Sequence, residues 1–286
     1  MTDQRRPKND ILEWPLGSLD FSQGCIIMGI LNVTPDSFSD GGTYMDTDSA
    51  IERALQMVHD GARIIDIGPE STRPGSKPVS AEQQIARAIP VIEKITQRTD
   101  TVVSIDTQDS RVAEAAIKAG ASIINDVSAF GDPKMPEVAA RYNAVSILMH
   151  MKGTPSTMQK EPSYDDVVSE VLEYLTSRIE YAKGFGLPAE YLMIDPGIGF
   201  GKTYHHNLEL LKHLDRFCRT DHRVLVGTSR KKFIGRITGR EIPSERLFGT
   251  AATVAASVLA GASIVRVHDV AEMAEVVQVC NAINNA

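Results

Sequence analysis

Eight apolar runs of this sequence end in residues able to bind an anion, a cation or a polar heterocycle. Asn32 follows the first run, Glu70, Thr72 and Arg73 the second, and Asp106 the third. Asn125 and Asp126 follow the fourth, His150 the fifth, Asp195 the sixth, and Ser229 and Lys231 the seventh, while Arg266 and His268 end the eighth. The set divides by chemistry. Arg73, Lys231, Arg266 and His268 supply positive charge and donors, as a phosphate or diphosphate requires. Asp106, Asn125 and Asp195 supply acceptors, and the asparagine also donors, which suits the edge of a nitrogen-rich heterocycle; the carboxylates can also stabilise developing positive charge. Asn32 offers a neutral oxygen of the kind Mg²⁺ takes beside water and phosphate oxygens. Any one of these positions could be a helix cap or loop residue, and Asp126 and Asp269 are read as caps. It is the recurrence at every run that argues for a shared site.

Such residues meet only if their elements bring them to one face. Continuous β-branched runs predict strands at Cys25–Leu31, Arg63–Ile67, Thr101–Ile105, Ser122–Asn125, Ala144–Met149, Tyr191–Ile194, Arg223–Val226 and Ser263–Val267. Their lack of alternation suits parallel strands covered on both sides. Amphipathic stretches separate them: Ile51, Ala54, Leu55 and Val58 line one helix face, Ser80 with Gln83 starts the next helix, and Asp269 with Glu272 resembles a capping box for the last. Eight β–α units predict an α/β fold, a (β/α)₈ TIM barrel, whose strand ends gather where sites of this fold are built. An open doubly wound sheet is the structural alternative. Residues 11–24 stand outside the repeat and are expected to form a short N-terminal β-hairpin that plugs the barrel. No linker divides residues 1–286, so a single domain is expected. Three connections, Asn32–Asp46, Pro69–Val79 and Ser229–Pro243, are long enough to be functional loops. The helix near 244–260 is apolar nearly all round, which predicts a homodimer, or another homo-oligomer, through that face.

Composition narrows the field. Lys and Arg total 30 against 37 Asp and Glu, a net charge of -7 that argues against a nucleic-acid partner. Cys25, Cys218 and Cys280 form no CxxC pair, so a cysteine zinc site or disulfide scaffold is not expected. The charged start shows no secretory signal, and no apolar stretch is long enough to span a bilayer, so no membrane association and a cytoplasmic location are expected. Two nucleotide-binding motifs fail. Gly201-Lys202-Thr203 would need a glycine where Pro196 stands, and the glycines at 197, 199 and 201 have the wrong spacing for GxGxxG. His205 and His206 read as a helix start, not a metal site.

The strand-end motifs resemble the dihydropteroate synthase family from about Gly29 to Asp269. The run Leu31-Asn32-Val33-Thr34-Pro35-Asp36-Ser37-Phe38-Ser39-Asp40-Gly41-Gly42 is similar to its first signature and Glu70-Ser71-Thr72-Arg73-Pro74-Gly75 to its second. Ser104-Ile105-Asp106-Thr107, Ile124-Asn125-Asp126-Val127, Leu148-Met149-His150-Met151 and Asp195-Pro196-Gly197-Ile198-Gly199-Phe200-Gly201-Lys202 follow in order. Gly227-Thr228-Ser229-Arg230-Lys231 and Arg266-Val267-His268-Asp269 complete the set.

The resemblance implies a transferase of folate biosynthesis. It would join 6-hydroxymethyl-7,8-dihydropterin pyrophosphate to 4-aminobenzoate, giving 7,8-dihydropteroate and pyrophosphate by an SN1-like route, and it is a target of sulfonamides that imitate aminobenzoate. It assigns Asp106, Asn125, Asp195 and Lys231 to the pterin, and Asn32, Arg266 and His268 to the pyrophosphate with Mg²⁺, Arg266 also stacking on the pterin. Thr72 and Arg73 fall on the second loop, and Phe38, Pro74 and Phe200 frame the aminobenzoate ring; Asp106, Lys231 and Arg73 are the expected catalytic residues. Two positions depart from the family pattern: Pro69 replaces a frequent glycine, and Lys232 a frequent serine, where it either pairs with the aminobenzoate carboxylate or is solvated. The runner-up is a methyltetrahydrofolate-binding methyltransferase module, which has no need of the first signature or of Arg266 with His268. A non-catalytic paralogue is disfavoured by the presence of Asp106, Lys231 and Arg73. A Schiff-base aldolase is disfavoured by the cations around Lys231.

Overall fold

The structure, a computed structural model, describes residues 10–34, 47–71, 78–155 and 157–286. Its centre is a barrel of eight parallel strands: β3 (Ile26–Asn32), β4 (Ile64–Gly68), β5 (Val102–Asp106), β6 (Ile123–Asp126), β7 (Val145–Met149), β8 (Leu192–Asp195), β9 (Leu225–Val226) and β10 (Ile264–Val267). The sheet runs β8-β7-β6-β5-β4-β3-β10-β9, and a parallel bridge between Ile194 and Val224 joins its two edges. The expected (β/α)₈ barrel is therefore present, every predicted strand included.

Side chains alternate along a strand, so each one feeds two layers. Ile65, Ile67, Val103 and Ile105 face outward and pack with Ala54, Val91, Ile92, Ile95 and Val112 of the helical layer. Met28, Ile64, Val102, Ile123, Val145, Met193, Leu225 and Ile264 face inward and form a separate apolar cluster. Two or four residues further along, the same inward parity reaches Asn32, Asp66, Asp106, Asn125, Asp195 and Arg266. On six of the eight strands the inward row thus passes from hydrocarbon to a polar or charged residue within two to four residues.

The lower end is covered by a hairpin of β1 (Ile11–Trp14) and β2 (Gly17–Asp20). Leu12, Trp14 and Leu19 alternate with exposed residues and join Phe21 in the inward cluster, as a plug requires.

The helices are α1 (Thr47–His59), α2 (Ala81–Arg98), α3 (Ser110–Lys118), α4 (Met135–Tyr142), α5 (Val167–Lys183), α6 (Tyr204–Lys212), α7 (Asp215–Cys218), α8 (Lys232–Thr238), α9 (Leu247–Leu259) and α10 (Val270–Asn285). Ser80 caps α2, accepting from Gln83 N at 3.3 Å, and Thr203 with His206 forms a capping box on α6. One expectation needs correction. Asp269 makes no capping bond on α10, because Arg230 Nε takes its carboxylate at 3.0 Å. The long connection Ser229–Pro243 contains the short helix α8. No described helix is long and apolar enough to cross a membrane.

Candidate active site

The C-terminal mouth is built around one arginine and two buried aspartates. Arg266, inward on β10, donates from Nε to Asp66 Oδ2 at 2.6 Å and from Nη2 to Asp106 Oδ2 at 2.8 Å. Asn125 Nδ2 donates to the same Asp66 oxygen at 3.0 Å. The remaining oxygens, Asp66 Oδ1 and Asp106 Oδ1, are buried and meet no hydrogen-bond partner among the described residues. Burial pushes Asp106 up to about 7; Arg266 opposes the rise and Asp66 adds to it. One cation between two carboxylates leaves acceptor capacity in excess, which a ligand rich in N–H groups can use.

Asp195, at the end of β8, keeps one oxygen on Gly197 N at 2.7 Å and is pushed by burial up to about 6. Lys231 stands across the mouth with its ammonium 4.0 Å from the centre of the Phe200 ring. Burial draws it down to about 8, against the attraction of Asp195. On the neighbouring strand ends, Ser229 Oγ lies 2.9 Å from His268 Nδ1 and accepts from His268 N at 3.2 Å, so the two hold each other. Asn32 ends β3 beside Gly68: a methyl group on that glycine would stand 3.1 Å from Asn32 Oδ1.

Of the residues predicted from sequence, the mouth thus gathers Asp106, Asn125, Asp195, Phe200, Lys231, Arg266 and His268 at the C-terminal ends of β5, β6, β8, β9 and β10 or in the connections that follow them, with Asn32 at the end of β3. Phe38, Thr72, Arg73 and Pro74 lie outside the described residues. Three further strand-end residues turn to structural work. Asp126 has outward parity and accepts from Ser128 N (2.7 Å), Ser128 Oγ (2.6 Å) and Phe130 N (2.8 Å). Glu70 accepts from Val79 N at 2.8 Å and Gln84 Nε2 at 3.2 Å. His150 Nδ1 meets the buried Lys202 at 2.9 Å. Lys232 is exposed, the first residue of α8.

Sequence reasoning missed Asp66. It is fully buried and shares Arg266 and Asn125, but it sits inside β4 and not past its end. The signal was there: Ile64-Ile65-Asp66-Ile67 places one charge in an apolar run, at the inward parity of Ile64.

No group of three His, Cys, Asp or Glu that could hold a metal occurs among the described residues. The mouth nonetheless fits Mg²⁺ of the kind held mostly by water and substrate phosphate, because Asn32 supplies one hard neutral oxygen at the rim.

Comparison with known proteins places this geometry. A family model described as "Pterin binding enzyme" matches residues 28–268. The dihydropteroate synthase of Synechocystis is 44% identical over 272 residues, covering 94% of each chain. The structure of the Yersinia pestis dihydropteroate synthase with a sulfonamide drug superposes with a TM-score of 0.92 at 40% identity, covering 96% of this chain and all of that one. The Xanthomonas albilineans enzyme in complex with 7,8-dihydropteroate gives a TM-score of 0.85 at 40% identity, covering 94% of this chain and 97% of that one.

Proposed function

This chain belongs to the dihydropteroate synthase family of pterin-binding enzymes, transferases of folate biosynthesis, and from that premise we propose how its residues divide the reaction. The family joins 6-hydroxymethyl-7,8-dihydropterin pyrophosphate to the amine of 4-aminobenzoate and releases pyrophosphate. Asp106, Asn125, Asp195 and Lys231 take the pterin. The observation that carries this assignment is the buried, unpartnered Asp106 Oδ1, in register with Asn125 on the adjoining strand, with Asp195 at the end of β8 two strands beyond. A pterin edge offers the N–H donors that these acceptors need.

Arg266 and His268 take the diphosphate, and Arg266 also stacks on the pterin. Asn32 would hold Mg²⁺, which when bound would offset diphosphate charge. In an SN1-like route the bond from the exocyclic CH₂ to the diphosphate oxygen breaks first, its electron pair leaving with the diphosphate. The amine nitrogen then bonds to that carbon and loses a proton. Asp106 faces the ring side of the developing cation, where a fixed carboxylate stabilises it with little reorganisation. Phe200 frames the aminobenzoate ring, and the sequence motif adds Phe38, Thr72, Arg73 and Pro74 to that side.

A homodimer is part of the same proposal. Phe248 (87% exposed) and Leu259 on α9, with Val279 and Ile283 on the packed α10, leave apolar side chains facing solvent, which a second copy would cover. A cytoplasmic location, without nucleic-acid or membrane partners, accompanies it.

The deciding experiment supplies the pterin pyrophosphate, 4-aminobenzoate and Mg²⁺. Equal amounts of pyrophosphate and dihydropteroate are expected. Binding of methyltetrahydrofolate with no dihydropteroate formed would replace the synthase reading with the methyltransferase module.

A further inference from the structure

We propose that Lys202 is a positioning residue for the second substrate: buried behind the mouth, it ties the connection after β7 to the connection after β8 and so fixes where the Phe200 ring stands. The inference rests on the assignment of Phe200 to the aminobenzoate side.

Lys202 is only 2% exposed. An ammonium has three N–H donors, and each finds an acceptor: His150 Nδ1 at 2.9 Å, His150 O at 3.2 Å and Phe200 O at 3.0 Å. Two acceptors belong to the first connection and one to the second, so one side chain bridges both backbones. For Lys202 to donate to Nδ1, His150 must carry its proton on Nε2 and remain neutral. Burial and the Lys202 charge favour that state, drawing His150 down to about 3. Burial also draws Lys202 down to about 7, while Asp195 favours its charged form.

The two connections are in direct backbone contact. A Cβ on Gly197 would lie 2.0 Å from His150 O, and one on Gly201 would lie 2.4 Å from Lys152 O; both glycines have positive φ. His150 is wedged edge-on against Tyr174, with ring centres 4.9 Å apart. Tyr164 donates to Gly201 O at 2.7 Å, and Gln159 donates to Gly199 O at 2.9 Å. Phe200 is therefore held on both flanks, and its own carbonyl is held by Lys202. Its ring is what Lys231 rests on, so a shift of the Phe200 backbone reaches both the aromatic wall and a pterin-side cation.

The test compares Lys202→Met, His150→Leu and His150→Asn in the whole enzyme. Asparagine keeps an acceptor close to the place of Nδ1; leucine removes it. Lys202→Met and His150→Leu are expected to raise KM for 4-aminobenzoate about tenfold, since a displacement of about 1 Å at a positioning contact can cost up to about a hundredfold. Their kcat should fall less than about threefold, and affinity for the pterin pyrophosphate alone, measured by calorimetry, should change less than about threefold. His150→Asn should keep the wild-type KM. Equal losses for both substrates, no loss for either, or identical behaviour of the two histidine variants would overturn the proposal. If Lys202→Met does not fold, the histidine pair decides. Wild-type enzyme that makes no dihydropteroate refutes the synthase reading instead.

Discussion

The two ends of the barrel share one backbone ladder and one inward parity, yet they hold opposite chemistry. At the lower end, Met28, Ile64, Val102, Ile123, Val145, Met193, Leu225 and Ile264 meet Leu12, Trp14, Leu19 and Phe21 of the hairpin. Burial of each such side chain stabilises the fold by about 1.5–3 kcal/mol. At the upper end the same rows present Asp66, Asp106, Asn125, Asp195 and Arg266, whose desolvation works against folding. The lower end holds the barrel together, and the upper end is held in place by it. Conflict between a side chain's burial and its charge therefore marks the working end.

The largest expected effect comes from removing the charge that is least explained by folding. Asp106→Asn should lower kcat about 100- to 1000-fold, the scale of losing one fixed electrostatic group. Stability should respond with the opposite sign. Asp106 is held at about 7 in the fold, against about 3.9 in an unfolded chain. Between those values the folded state binds more protons than the unfolded one. The group's contribution is full below about pH 4 and is lost as pH rises toward about 7, and the asparagine variant escapes that loss. Melting temperatures measured from pH 4 to 8 should shift steadily in favour of the variant. A parallel loss at every pH would instead make Asp106 a structural clamp for Arg266, and the contrast between the ends would weaken.

The same contrast explains what could be read from sequence. The strands were legible because Val102-Val103 and Ile123-Ile124 are apolar on both faces, which only a covered parallel strand tolerates. Candidate site residues at or just past the strand ends were legible as a repeated pattern. Asp66 was not, because it lies one residue before the final Ile67-Gly68 of its strand, where only parity reveals which way it faces. Parity also gives the reason that the neighbours Asn125 and Asp126 divide, the first read from sequence as a site residue and the second as a cap: Asn125 follows Ile123 inward, and Asp126 follows Ile124 toward the helices. The capping role expected for Asp269 failed for another reason: Arg230, distant in sequence, competes for its carboxylate. The bridge of Lys202 to His150 links residues 52 positions apart and needed the barrel to be visible.

Asp126 offers the sharper test, since it sits at the working end but faces away from the site. Its carboxylate closes a turn in which Ala129 (φ 51°) and Phe130 (φ 63°) adopt the left-handed region. Asp126→Ala would leave one buried and one half-buried backbone N–H group without their acceptor, at a cost of about 3 kcal/mol in denaturant unfolding. The kcat/KM of the folded fraction should stay within about twofold of wild type. A loss of turnover out of proportion to unfolding would show that position along the strand, not parity, decides function.

The smallest expected effect tests the lower end at a polar group that does not suit a hydrocarbon floor. Trp14 is buried in the hairpin plug, and its indole Nε1 meets no acceptor among the described residues. Its ring also lies against Gly17, where a Cβ would come within 3.0 Å of Trp14 Cζ2, so the hairpin is shaped around the indole. Trp14→Phe removes the unpaired donor, which favours the variant by about 1–3 kcal/mol, and gives up part of the ring's packing, which opposes it by a similar amount. The sum should lie within about 1 kcal/mol of zero in urea unfolding, with kcat unchanged. A loss above about 2 kcal/mol would mean that the indole's shape or its N–H is required for closure. The lower end would then hold a polar dependence of its own, and the division between a hydrocarbon floor and a charged mouth would be less complete than the side-chain rows imply.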